Sequence, residues 1–291
     1  MKNILLIFFL IITAETYTQS DYSNELDKGI NLFDQGKYDE AKEIFEAILE
    51  ENYDIAEAHY YLAKCLFRIG DLDEAIANGE KAVDLDDENA DYHFELGRLY
   101  AEDARDASIF RAPFIAGNIK EQFERTIELD PDHIQGRIGL AQFYLQAPGI
   151  SGGDIDKALE QAQIVVTMDE MQGRFLLSRI YIEKEDFNKA ESELKILEEK
   201  YGEDPEFYYL YNYYGYFLLS QGRVDEAIEK FKKQVSLAPE EANPYDSLGE
   251  AYRIKGILVE SLKEYKRAYS ISPSDRVKEI IEELKEEIGN N

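Results

Sequence analysis

Three pairs of residues, Tyr60 and Lys64, Phe94 and Arg98, and Phe175 and Arg179, place an aromatic ring four positions before a cation. On a helix that spacing puts ring and cation on one face, a turn apart. Gln142 falls between the second and third pairs in matching register, and Arg68 extends the first. Arginine grips a carboxylate through two parallel N–H bonds, and Arg and aromatic residues are frequent interface anchors. Such a stripe suits a peptide or protein that brings acidic and apolar groups. The competing reading is that these cations only offset neighbouring Asp and Glu.

Catalytic constellations are not legible. There is no Ser/His/Asp, Cys/His or metal-spaced cluster, and acidic pairs are too numerous to single one out. The histidines are His59, His93 and His133. The first two fall on the packed side of helices, where a hydrogen-bonded core histidine is expected rather than a metal ligand. Acids between Asp84 and Glu95 come near calcium-loop spacing, but Asn89 stands where the turn glycine is required. Ser151-Gly152-Gly153 could form an anion nest, yet it lacks the Lys-Ser/Thr of a phosphate loop and Asp154 brings the wrong charge. It reads as a flexible turn. No metal, no cofactor and no enzyme activity is therefore expected.

The elements that must position the stripe repeat along the chain. Gly29, Ala63, Gly97, Ala141, Ser178, Gly215 and Gly249 each have a large residue three positions on, at spacings of 34, 34, 44, 37, 37 and 34. A small residue there lets two helices approach, and the large one fills the space beside it. Second helices carry matching pairs: Ala41 and Phe45, Ala158 and Ala162, Ala190 and Leu194, Ala227 and Phe231, Ser261 and Tyr265. Gly36, Gly70, Gly222 and Gly256 mark turns, and Pro131, Pro239 and Pro273 close units. One such hairpin cannot bury its apolar stripe alone, so it has to stack on copies of itself.

These residues resemble the tetratricopeptide repeat over about 22–275. The resemblance implies an all-α fold, a right-handed α-α superhelix of about seven helical hairpins. Units are expected near 22–55, 56–89, 90–133, 134–170, 171–207, 208–241 and 242–275. The charged amphipathic segment 276–291 supplies a C-terminal capping helix and tail. The resemblance also implies that first helices line a concave groove where peptides lie. It further implies a non-enzymatic interaction scaffold.

Two units depart from the period. The third carries about ten extra residues within Glu102–Asn118, including Ile109, Phe110, Phe114 and Ile115. The fourth carries about five around Ala147–Gly153. The apolar insertion reads as a lid over the second loop or as an edge for a partner or a second copy. In the Tyr-rich run, Tyr211 and Tyr214 read as core, while Tyr209, Asn212 and Tyr216 fall on the stripe side as candidate contacts.

Composition sets the remaining limits. A net charge of −29 with no long basic run excludes nucleic acid as a partner. Lys2, the apolar run Ile4–Ile12 and the small and polar residues to Ser20 have the layout of an export signal over 1–20. The run is too short to cross a membrane. An exported protein without a transmembrane segment, periplasmic or secreted, is expected. Cys65, the single cysteine, falls on an apolar helix face and reads as a core residue.

Overall fold

In a computed structural model the described residues are 22–108 and 111–290. The expected export signal and the insertion residues Ile109 and Phe110 lie outside them. The described residues form fifteen α-helices and no strand. The first eight helices, in hairpin order, are α1 (Ser23–Asp34) with α2 (Tyr38–Glu51), α3 (Ala56–Ile69) with α4 (Leu72–Leu85), α5 (Ala90–Asp103) with α6 (Ala112–Leu129), and α7 (Ile134–Gln146) with α8 (Ile155–Met168). The rest are α9 (Glu170–Glu183) with α10 (Phe187–Tyr201), α11 (Tyr209–Ser220) with α12 (Val224–Leu237), α13 (Ala242–Ile254) with α14 (Leu258–Ile271), and the final α15 (Asp275–Gly289). The chain divides into two compact units, up to Gln161 and from Ala162 onward.

In the first unit two of the small positions, Gly29 and Gly97, pack on rings from the following helix. A Cβ on Gly29 would stand 2.6 Å from the Phe45 ring. Phe123 of α6 is wedged between two glycines: a Cβ on Gly97 of α5 would lie 2.9 Å from it, and one on Gly139 of α7 2.7 Å. Only glycine leaves room for a buried ring at these contacts. Cys65 is buried in the same core, and burial pushes its thiol up to about 11.

The turns follow from backbone chemistry. Gly70 ends α3 in the left-handed region at φ 93°, which lets the Asp71 N–H reach back to the Leu66 carbonyl at 2.9 Å. Asp71 then caps α4 by accepting from the Glu74 N–H. In the fifth hairpin Glu185 takes the corresponding left-handed position, at φ 57°.

The second unit repeats the lock. Phe231 fills the space beside Gly215, and Tyr265 that beside Gly249. Val277, Ile281 and Leu284 of α15 pack with Tyr265 and close the end of the core. Here charged groups also join elements one repeat apart. Arg223 pairs with Glu191, Lys230 with Glu198 and Arg276 with Asp246, each at 2.6 Å. In the first unit pairs such as Lys42–Glu46, Arg98–Glu95 and Lys120–Glu124 stay within one helix.

The insertion is less of a loop than the sequence suggests. Half of it extends α6 by about a turn at the amino end, with Pro113 in its first turn. Ile115 therefore points into the core at 6% exposure and is not part of an open edge, whereas Phe114 is 79% exposed.

Candidate functional site

The stripe of the first unit lies on α3, α5 and α7. Lys64 donates to the Tyr60 hydroxyl at 3.2 Å, and its ammonium lies 5.0, 4.7 and 4.9 Å from the ring centres of Phe33, Tyr60 and Tyr61. Burial lowers the Lys64 pKa, while the nearby Glu95 carboxylate opposes that shift. Burial also raises the Tyr60 phenol well above its usual range. Arg68 is exposed over the Tyr38 ring at 5.9 Å.

Arg98 does not stand free. One Nη donates to Glu95 at 2.6 Å, and the guanidinium lies 5.5 and 6.0 Å from the Phe67 and Phe94 rings. Glu95 is only 3% exposed, and its second oxygen has no hydrogen-bond partner among the described residues. For this cation the expectation of an open charge is corrected. A buried acid one turn earlier neutralises it, because water cannot reach that carboxylate to stabilise it. The other donors of the guanidinium fork are not used by Glu95.

Phe94 packs against His133, ring centres 4.9 Å apart. His133 accepts from the Gly136 N–H at Nδ1 and so caps α7, which leaves Nε2 to donate to Asp91 at 3.2 Å. His59 and His93 are buried, each hydrogen-bonded through both ring nitrogens. Among the described residues no group of three or more His, Cys, Asp or Glu could hold a metal ion.

In the second unit Phe175 of α9 sits against Tyr209 and Tyr213 of α11, each 5.8 Å away between ring centres. Arg179, one turn on, is half-buried with no carboxylate in ion-pair distance among the described residues. Its charge opposes the rise that burial gives the Tyr213 phenol. The Tyr209 ring is exposed and its hydroxyl lies 3.7 Å from the Met171 sulfur. Asn212 spends its amide on Asn243 and Ser247 of α13, at 3.1 and 2.8 Å. Through that nitrogen it joins α11 to α13. The Tyr216 ring is exposed, but its hydroxyl donates to Glu250 at 2.7 Å.

Part of the stripe opens into a cavity of about 620 Å³ within the first unit. Phe94 and Arg98 of α5 form one wall, and Ile138 and Gln142 of α7 another. Both insertions border it, through Ala112 and Ala116 on one side and Pro148 and Ser151 on the other. Tyr60, Lys64 and Arg68 are not in its lining. Arg105 and Gln146 are, and sequence reasoning missed them. Gln146 was findable, lying one helical turn beyond Gln142. Arg105 belongs to a loop outside any period.

Comparison with known proteins agrees with this architecture. The family model described as tetratricopeptide repeat matches residues 26–90 and 175–242. Superkiller protein 3 of Schizosaccharomyces pombe is 23% identical over 283 residues, covering 92% of this chain and 19% of that protein. Superkiller complex protein 3 of Homo sapiens is 22% identical, covering 84% of this chain and 15% of its own length. The chain thus spans less than a fifth of the length of these two relatives. Among solved structures, a tetratricopeptide repeat protein from Parabacteroides merdae superposes with a TM-score of 0.67 at 15% identity, covering 91% of this chain and 99% of that one. The Cut9–Hcn1 assembly of the APC/C gives 0.56 at 13% identity, covering 93% of this chain and 50% of that one. These likenesses show the fold.

Proposed function

From the premise that the chain is a tetratricopeptide repeat protein, we propose that it is a non-enzymatic scaffold whose first-helix faces hold a partner protein or peptide carrying acidic and apolar groups. Three stripe cations, Lys64, Arg68 and Arg179, have no carboxylate in ion-pair distance among the described residues, although the chain carries a net −29. That observation carries the reading. Acids outnumber bases nearly two to one, yet of the four stripe cations Arg98 is the one with a carboxylate partner among the described residues. The rings of Tyr60, Phe94, Phe175 and Tyr216 beside them supply apolar contact area.

Selection of a random phage-displayed dodecapeptide library on the immobilised protein tests this. Selected peptides should contain Asp or Glu, and Lys64→Met or Arg179→Ala, each tested by itself, should weaken some of them about tenfold or more, roughly the 1.4 kcal/mol per decade of affinity. Enrichment of no peptide, or affinity untouched by either variant, overturns the scaffold reading.

We also infer that the protein works outside the cytoplasm, supported by the charge and apolar layout of residues 1–20. Among the described residues no helix is long and apolar enough to cross a membrane. Fractionation of the tagged protein, with mass determination of its amino terminus, tests this. A full-length amino terminus in the cytoplasm refutes it.

A further inference from the structure

The geometry points to the cavity between α5, α6 and α7 as an anchor pocket that accepts one bulky apolar side chain of a partner peptide, with a neighbouring carboxylate of that peptide held by Arg98 and Arg105. This deepens the scaffold reading and depends on it, because it says where and by what chemistry selection occurs.

Four observations carry the assignment. First, the space is large for a stack of this kind, about 620 Å³, enough for one or two residues. Residues of both departures from the repeat period help to wall it: Ala104, Arg105 and Ala112 from one, Ala147, Pro148 and Ser151 from the other. Second, its walls are suited to an apolar guest: Phe67, Phe94, Ile138 and Phe143 line it together with small alanines. Third, a large apolar residue stands next to lining residues at its edge. Ile150 is 98% exposed between Pro148 and Ser151. Leaving it in water is unfavourable, and a partner entering the pocket would cover it.

Fourth, the charge at the wall selects for an acid. Two arginines and one glutamate, Glu102, line the cavity of a strongly acidic chain. Arg105 pairs with Glu102 at 3.0 Å on the exposed rim, a contact weak enough to exchange. Arg98 is fixed from behind by buried Glu95, which orients its plane without using the rest of its donors. Gln142 and Gln146 add amides that can both donate to and accept from a peptide backbone.

The test uses the same dodecapeptide selection, followed by fluorescence anisotropy of the enriched peptides as synthetic probes. The expected peptides carry Phe, Leu, Ile or Met within a few positions of Asp or Glu. Replacing that apolar residue by Ala should weaken binding at least tenfold. Ala116→Trp, which fills the cavity, should do the same. The surface-borne Arg105→Ala/Ile150→Ser variant should weaken binding about threefold or more and keeps the test valid if the filled variant does not fold. Peptides that are enriched but indifferent to Ala116→Trp and to the rim variant overturn the pocket and leave the scaffold standing. Absence of any enriched peptide overturns the scaffold itself. A halved mass in light scattering for the rim variant would show that a second copy of this chain covers the mouth, and would also overturn the proposal.

Discussion

The ring of Phe231 occupies the space where the side chain of Gly215 would begin: a Cβ there would meet the Phe231 Cζ at 2.6 Å. Phe231 is fully buried and cannot swing aside. Gly215→Ala should therefore lower stability by about 1–3 kcal/mol, despite the better helix propensity of alanine. Phe231→Leu in the same chain should recover part of the loss. Urea unfolding of the two single variants and the double gives the coupling. Simple additivity would show that the two residues do not share this space.

Arg98 and Glu95 make a second testable pair. Arg98→Ala strands a buried carboxylate and should cost about 1–3 kcal/mol, apart from any effect on binding. Glu95→Leu on that background should restore most of it. A melting temperature that is unchanged in Arg98→Ala would mean the ion pair does not hold α5 in place. Binding studies of this stripe should for that reason rely on Lys64 and Arg179.

Lys64 should behave in the opposite sense. Burial disfavours its ammonium and lowers its pKa, and the three surrounding rings offset only part of that cost. The penalty is present below the folded pKa and disappears as pH rises past the unfolded value. Lys64→Met should thus match or exceed the wild type by up to a few degrees at pH 7, with the gap closing as pH rises toward the unfolded lysine value, about 10.4. A variant several degrees less stable at pH 7 would contradict this. Stability held while peptide affinity falls is the signature of a binding residue rather than a packing one.

Repetition explains what was legible. The seven small positions from Gly29 to Gly249 are buried in every hairpin, because a close helix approach imposes the same constraint on each copy. The stripe register was readable for the same reason. What the period could not show is how individual side chains spend their hydrogen bonds. Glu95 looks like any surface acid, and only packing reveals it beneath Arg98. Asn212 sits on the stripe, yet its amide is taken by the next hairpin. The 620 Å³ cavity arises where the period fails, so no periodic argument could reach it. Ile115 was misplaced because an insertion counted as loop was partly helix.

In the second unit Glu191 contributes to the acid response. Arg223 holds its carboxyl down at about 2, with Lys195 helping. A carboxylate depressed in this way adds stability above its unfolded pKa, near 4.3, that is lost as pH falls toward 2. Glu191→Gln should cost on the order of 1 kcal/mol at pH 7, since Arg223 is partly exposed and screened. The difference from wild type should shrink below pH 4 and vanish near pH 2. An acid-unfolding curve parallel to the wild type across that range would contradict the assignment.

The ion pairs that link neighbouring repeats after Ala162 have a consequence for ionic strength. Added salt relieves the mutual repulsion of a chain at −29 everywhere, so it should tighten the first unit, whose pairs are mostly intrahelical. After Ala162 the same salt also weakens the links Arg223–Glu191, Lys230–Glu198 and Arg276–Asp246. Amide exchange between 0.05 and 1 M sodium chloride should then slow in α1–α6 and change little, or quicken, in α9–α15. The protein would carry one half that firms in brine and one half that does not.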